Sequence, residues 1–450
     1  ASFASATGAT IAFFISRFLL QDWVRSRFDF HFKSFMKSAE KDIDFYLFSL
    51  RMIPFFPFFL VNLLMGLTRI SWKKFFLISQ FGMATSSAVY VNAGAGLAEI
   101  TSVSDLLSLR LLLSLTLLGF FPLFSRWVVA RYKKNRVYYG YSKPASYDAD
   151  LIVIGGGAGG LVTSIIAADA QAKVVLIEQD KQGGECLYTG CVPSKSIIRS
   201  SKIMSYLRRA SEFGIVEVQG RIDFSSVMQR ANEIIKKIEP HDSVERYQSL
   251  GVNCLKGTAI IKTPFMVQVG NIKITTRTIV VASGSRPRIP AIEGSSEIGY
   301  LTSETIWSID QLPGRFLIIG GGAMGCEFAQ AFQNFGSNVI QIESAERLLP
   351  REDEEVSLVI QNRFEEIGID VLVGHRLLRF KKDGEQKMAV VQRLSDGMIR
   401  NIAFDQVLYA TGRIPNVENF GLEELGVEIS PRGGIKVNTY LQTNFRNIFA

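Results

Sequence analysis

The chain has 450 residues, 47% of them hydrophobic, and a formal net charge of +8, so it is long enough for about three domains. The basic excess is confined to residues 1–140, with 16 Lys+Arg against 7 Asp+Glu, leaving 34 against 35 in the remainder. The part beyond residue 140 therefore has no basic stripe for nucleic acid, and four cysteines in this length do not form a disulfide framework.

Four apolar blocks dominate the first third: Ala9–Leu20, Phe45–Leu67, Phe75–Leu97 and Leu106–Val129. Their density predicts an α-helical transmembrane domain over residues 1–135, a soluble core of Phe-rich helices being the alternative. The second block carries Arg51, Pro54, Pro57, Asn62 and Gly66. An ionisable group and helix-breaking prolines at membrane depth imply an interrupted or re-entrant element. After the last block come Arg126 and Arg131-Tyr-Lys-Lys-Asn-Arg136, then a basic and aromatic linker, 136–149. The positive-inside rule puts the domain after this linker on the cytoplasmic side of a bacterial-type inner or plasma membrane, with a multi-pass anchor. The pattern Arg51-x-x-Pro54-x-x-Pro57, with Asn62 and Gly66, resembles the DedA/VTT family of membrane proteins. That resemblance implies lipid or small-solute movement across a bilayer.

From Asp150 the pattern changes. Asp150-Leu-Ile-Val-Ile154 reads as a buried parallel strand, followed by Gly155-Gly-Gly157-Ala-Gly-Gly160, an Ala-rich helix, and a strand Lys173–Ile177 ending at Glu178. In that context the glycines permit a tight turn and close approach of a pyrophosphate, and the acid takes ribose hydroxyls. The unit recurs: strand Arg315–Ile319, loop Gly320-Gly-Gly322-Ala-Met-Gly325, helix Cys326–Phe335, strand Val339–Ile342, then Glu343. Glu178 stands 18 residues after Gly160, as Glu343 does after Gly325. Two Rossmann-like α/β domains are expected, and the carboxylate of Glu343 favours NADH, with NADPH possible because Arg347 is near in sequence. Two strand-to-linker switches, Thr278–Ala282 into Ser283-Gly284 and Asp405–Ala410 into Thr411-Gly412-Arg-Ile-Pro-Asn416, bracket the second unit. The expected organisation is a first nucleotide domain over 150–290, a second over 291–412, and a return to the first over 413–450.

Between the first unit and its next strand lies Gly183-Gly-Glu-Cys-Leu-Tyr-Thr-Gly-Cys-Val-Pro-Ser-Lys195. Cys186 and Cys191 are too far apart in sequence for a compact zinc motif, and no metal site is read here. A disulfide needs Cα atoms about 4.4–6.8 Å apart, whereas this offset in a straight helix rises about 7.5 Å. A turn distorted at Gly190 would close that gap. Pro193 suits the first turn of a following helix, and a helix N-terminus with a nearby lysine lowers a thiol pKa. Cys254 and Cys326 read as structural thiols, and His31, His241 and His375 as structural or solvated.

Taken together, the motifs over 150–450 resemble the flavin-dependent pyridine nucleotide-disulfide oxidoreductases, closest to the mercuric-reductase-like branch, from which Glu185 and Tyr188 depart. The resemblance implies FAD on the first loop (Gly155, Gly157, Gly160, Glu178), the nicotinamide nucleotide on the second (Gly320, Gly322, Gly325, Glu343), and Gly284 and Gly412 at the cofactor sites. It implies Cys191 as the flavin-proximal thiol, Cys186 as the interchange thiol, and a Lys195–Glu327 pair beside the flavin. It further implies a homodimer in which a domain beyond Ala450 supplies a His–Glu pair. The expected activity is membrane-anchored reduction of a small-molecule disulfide, metal ion or other electron acceptor. Mercuric reductase, dihydrolipoamide dehydrogenase and quinone reductase are the candidates, and no short C-x-x-C is visible to favour the first. A lipid or solute translocator with a regulatory flavoprotein is the alternative.

Overall fold

The computed structural model describes residues 2–19, 43–52, 57–68, 70–98, 136–216 and 220–450, with isolated positions between 113 and 131. The chain divides into two compact units, Ala1–Tyr139 and Gly140–Ala450.

The first unit contains helices Ser2–Phe18, Ile43–Met52, Phe58–Gly66 and Trp72–Ala98. Ala9, Phe13, Leu47, Val61, Met65, Ile70 and Phe75 form its core, with Phe13 stacked on Phe75 at 4.3 Å. The second apolar block is interrupted as its prolines imply: one helix ends at Met52 and the next begins after Pro57, which caps it at φ −56°. Pro54 lies outside the described residues. Arg51 is buried. Its Nη2 donates to Asn62 Oδ1 at 2.5 Å and its Nε to Ser79 Oγ at 3.1 Å.

Spanning helices were the expectation for this region. Among the described residues no helix is long and apolar enough to cross a membrane. Ser2–Phe18 has 17 residues, short of the roughly 20 a bilayer needs. Trp72–Ala98 has 27, but Lys73, Lys74, Ser79, Gln80, Thr85, Ser86, Ser87 and Asn92 dilute its apolar character. Most of the block Leu106–Val129, with Arg126 and Tyr132, lies outside the described residues.

The second unit holds one mixed sheet, parallel over β3-β2-β1-β6 and antiparallel over β6-β5-β4, and one parallel sheet. Strands β1 (Ala149–Ile154), β2 (Val174–Glu178), β3 (Val252–Lys256), β4 (Ala259–Thr263), β5 (Met266–Val269) and β6 (Ile272–Val281) assemble in the order β3-β2-β1-β6-β5-β4. Leu151, Ile152, Val153 and Ile154 are all buried because the strand is covered on both faces. β6 is longer than its sequence pattern suggests. Its first half pairs antiparallel with β5, and its second half parallel with β1.

After β7 (Ser285–Pro287), the strands β8 (Arg315–Ile319), β9 (Asn338–Ile342), β10 (Asp370–Leu372), β11 (His375–Asp383), β12 (Gln386–Arg393), β13 (Ile399–Phe404) and β14 (Gln406–Tyr409) follow. β10-β9-β8-β14 form the parallel sheet, and β11-β12-β13 an antiparallel meander. Then β15 (Arg413–Pro415) pairs antiparallel with β7, so the two linkers expected from sequence clasp each other. β16 (Ile448–Phe449) returns to pair with β6.

One packing contact positions the site. Helix Cys191–Arg208 runs beside helix Ala323–Phe335, with Ile197 in the same core cluster as Phe328 and Phe332. Farther along, Asn334 Nδ2 donates to Ser201 Oγ at 3.0 Å in the buried interface.

Candidate active site

The two glycine loops have the same construction. Gly155 and Gly320 adopt φ +106° and +119°, a region that disfavours any residue with a Cβ. Gly155 N–H donates to Ile177 O and Gly320 N–H to Ile342 O, each at 2.8 Å. A Cβ on Gly160 would strike the carbonyl oxygen of Gly155, and one on Gly325 that of Gly320. Gly157 and Gly322 are the N-caps of helices Ala158–Asp169 and Ala323–Phe335, whose exposed N–H groups and dipole suit a phosphate. Helix Ala323–Phe335 starts three residues earlier than the expected Cys326 because the glycine loop itself caps it.

The two acids repeat the match. Glu178 accepts from Gly156 N–H at 2.6 Å and from Asp180 N–H at 2.8 Å. Glu343 accepts from Gly321 N–H at 2.6 Å and from Ala345 N–H at 2.8 Å. Each carboxylate is thus fixed at the end of its second strand. The guanidinium of Arg347 donates to Glu352 O at 3.1 Å.

A cavity of about 940 Å³ extends from Gly155, Gly157 and Glu178 past Ser283, Gly284 and Asn416 to Glu185, Tyr188 and Thr189. That volume suits a dinucleotide-sized ligand. It joins a side-chain-free loop and a ribose-acceptor carboxylate to the chain neighbours of both cysteines, so the residues present fit FAD. Gly412 is not among the lining residues; its carbonyl accepts from Arg288 N–H at 2.9 Å in the linker.

The cysteine segment is docked directly on the first loop. Gly183 N–H donates to Gly156 O at 2.8 Å. Cys186 lies in the short helix Gly184–Tyr188, and Cys191 opens helix Cys191–Arg208. Gly190 makes the turn between them. A Cβ there would lie 3.0 Å from Glu185 O and 3.5 Å from Cys186 Cα, so the missing side chain lets the second helix start against the first. Both cysteines are free thiols, Cys191 exposed and Cys186 half-buried.

Burial, reinforced by the hydrogen bond with Cys191, pushes the Cys186 thiol up to about 11. The helix N-terminus and lysine singled out in the sequence lie at Cys191, which opens helix Cys191–Arg208, rather than at Cys186. Lys195 is occupied elsewhere: its Nζ lies 2.7 Å from Glu327 Oε1. The structure thus brings the expected lysine and acid together. Cys326 is buried, and its thiol is likewise raised to about 11 by burial. His241 Nδ1 sits 3.1 Å from Arg246 Nη1 and His375 Nδ1 2.6 Å from Val373 O; His31 lies outside the described residues.

Two residues beside the cysteines escaped the sequence reading. Arg413 Nη2 lies 2.8 Å from Glu185 Oε2, and Trp307 Nε1 donates to Thr189 O at 3.0 Å. The linker motif around Arg413 was visible in sequence; its carboxylate partner was not.

Comparison with known proteins gives this geometry its setting. Residues 1–96 match the VTT domain, and residues 149–450 match the pyridine nucleotide-disulphide oxidoreductase family. The chain is 32% identical over 305 residues to a mercuric reductase of Bacillus cereus, covering 68% of this chain and 48% of that protein. It is 34% identical over 311 residues to a dihydrolipoyl dehydrogenase of Bacillus subtilis, covering 67% and 66%. Among solved structures, the HOCl-induced flavoprotein disulfide reductase RclA of Escherichia coli superposes with a TM-score of 0.58 at 27% identity, covering 67% of this chain and 65% of that one. The chain spans about half the length of the mercuric reductases it matches. Over its last two thirds, in sequence and in fold, the chain belongs to the pyridine nucleotide-disulphide oxidoreductase family.

Proposed function

We propose that the chain is an FAD-dependent, NAD(P)H-consuming oxidoreductase whose working group is a Cys186–Cys191 disulfide. The observation that carries this reading is the cavity linking Gly155 and Gly157 to Glu185, Tyr188 and Thr189, which flank Cys186 and precede Cys191. When bound, the flavin carries an electron pair from the nicotinamide to the thiols. The protein supplies the rest. The first loop and Glu178 hold the dinucleotide, and the second loop and Glu343 hold NADH in preference to NADPH. Lys195 and Glu327 orient the reacting rings. Two electrons and two protons open the disulfide, with Cys191 as the flavin-proximal sulfur and Cys186 released to attack the acceptor. The thiolate is the competent nucleophile, so Cys186 must lose its proton to a base before it acts.

The acceptor class is a small-molecule disulfide or a metal ion, in keeping with relatives named for mercuric ion, dihydrolipoyl groups and disulfide reduction. The VTT match over residues 1–96 and the cluster Arg131–Arg136 support a membrane location, with the oxidoreductase on the cytoplasmic face of a bacterial-type membrane and a homodimer as the assembled form. The flavin-loaded full chain is expected to oxidise NADH only when a disulfide or Hg²⁺ is supplied. Cys186→Ser and Cys191→Ser are each expected to lose that turnover. Wild-type turnover in both variants would overturn the disulfide role.

A second reading, a lipid or solute translocator regulated by the flavoprotein, is favoured by Arg51. This cation is buried, with Asn62 and Ser79 as its hydrogen-bond partners and the rings of Phe58 and Phe75 at 5.1 and 5.3 Å. A buried cation with only neutral partners among the described residues is expensive and marks function more often than stability. Arg51→Ala abolishing solute movement in vesicles, with NADH oxidation intact, would support transport as the main activity.

A further inference from the structure

The two nucleotide loops differ in what lies beneath them. Aligned on their glycines and acids, the two units place Cys326 opposite Leu161 and Gln341 opposite Leu176. Leu161 and Leu176 are buried in one apolar cluster with Val153. Gln341 is buried as deeply, at 0% exposure, but brings an amide to the same place. Its Nε2 donates to Gly320 O at 2.9 Å and lies 3.8 Å from Cys326 Sγ. The other end of the amide has nothing to meet: among the described residues Gln341 Oε1 is buried without a hydrogen-bond partner. Turning the amide over gives no relief, because its oxygen would then face Gly320 O. An unpaired buried carbonyl costs stability, and a leucine would avoid that cost, as Leu176 does in the first unit.

The Gly320–Gly321 peptide shows what the amide does. Gln341 holds its C=O, and Glu343 Oε2 accepts from its N–H at 2.6 Å. The peptide is trans, planar, with C=O and N–H on opposite edges, so fixing the carbonyl fixes the direction of the N–H. In the first unit Glu178 takes the matching Gly156 N–H at 2.6 Å, but Leu176 has no group to offer Gly155 O. The second loop thus carries one more constraint, placed on the peptide that anchors its acid. Glu343 Oε1 keeps the Ala345 N–H in either case. Loss of the Gly321 bond would therefore let the carboxylate pivot rather than leave.

We propose that Gln341 is a positioning residue of the nicotinamide-nucleotide site: it fixes the Gly320–Gly321 peptide, which keeps the Glu343 carboxylate where it tells a ribose hydroxyl from a 2′-phosphate. This rests on the reading of the second loop and Glu343 as the NADH site.

The test measures binding of NAD⁺ and NADP⁺ to the flavin-loaded full chain by isothermal titration. These probes differ in the 2′-phosphate and donate no hydride to the flavin. Gln341→Leu gives the second unit the residue of the first. NAD⁺ affinity is expected to fall by about fivefold or more and NADP⁺ affinity to stay within about twofold, which narrows the preference. Gln341→Met, of similar length but without a donor, gives the same readout if the leucine variant does not fold. An unchanged ratio of the two affinities overturns the proposal, whatever happens to stability. So does an equal loss for both nucleotides, which marks a packing role alone. Failure of the underlying reading is separately visible in the wild type, as no preference for NAD⁺ over NADP⁺, and it removes this proposal with it.

Discussion

Lys195 Nζ and Glu327 Oε1 lie 2.7 Å apart although 132 residues separate them in the chain. The contact exists because helix Cys191–Arg208 packs along helix Ala323–Phe335, which joins the cysteine segment to the second nucleotide loop. Both side chains are well exposed, at 60% and 41%. An exposed ion pair contributes at most about 1 kcal/mol to stability, so its value lies in orientation. Lys195→Met is therefore expected to shift the melting temperature by no more than about 2 °C. Flavin reduction by NADH, followed by stopped-flow absorbance, should slow by about tenfold or more. An unchanged rate would remove the pair from the reaction.

The two cysteines should be distinguishable by absorbance. After two-electron reduction, Cys186→Ser is expected to keep the long-wavelength band of a thiolate against the flavin, because Cys191 is the sulfur proposed to face it. Cys191→Ser is expected to lose it. The reverse pattern would exchange the two roles.

The Cys186 thiol gives a pH dependence with a definite sign. Burial and then the hydrogen bond with Cys191 raise it to about 11, so the neutral thiol persists above its ordinary range. Alkylation of Cys186 in the reduced chain should rise by about tenfold per pH unit from pH 8 and level only near pH 11. By linkage, the folded state holds this proton more tightly than the unfolded chain. The corresponding stabilisation is complete below the ordinary thiol range and is lost as pH rises toward about 11. A plateau below pH 9 would contradict the buried, hydrogen-bonded placement.

Gly160→Ala and Gly325→Ala should separate the two nucleotide sites. Each added methyl meets a carbonyl oxygen of its own loop, Gly155 or Gly320, so each loop must open and lose its phosphate geometry. Gly160→Ala is expected to be purified without flavin. Gly325→Ala should retain flavin but weaken NADH binding by about tenfold or more, measured by titration. Equal flavin loss in both variants would argue against separate sites.

Glu343 is the residue proposed to set the nucleotide preference. Its carboxylate is fixed by Gly321 and Ala345 N–H groups where the ribose hydroxyls would lie, and it repels a 2′-phosphate. NADH is expected to bind about tenfold or more tightly than NADPH by isothermal titration, and Glu343→Ser should narrow the gap. Equal affinities in the native chain would remove this assignment.

Much of this site was legible in residues close together in sequence. The strands at Asp150 and Arg315 are short apolar runs ending in turn glycines, those at Lys173 and Val339 end in an acid, and both units recur at one spacing. The Gly190 turn followed from the cysteine offset. Less was legible where partners are distant. β6 was read only over its parallel half, because its other half owes its extension to β5. The clasp of β7 on β15 left no periodic signal, since each strand is three residues long. In the first unit, the interruption before Pro57 was legible in the prolines, whereas the polar residues within Trp72–Ala98 that dilute its apolar character were not weighed.

The sequence by itself determined that two dinucleotide loops and a cysteine pair share one chain. Those features depend on φ angles, steric size and strand length, which neighbouring residues set. Only the tertiary structure decided what surrounds the cysteines: the half-buried placement that raises the Cys186 thiol, and Glu185 held by Arg413. Burial and Coulomb interactions act through space between groups that the chain order keeps far apart, so no local pattern encodes them.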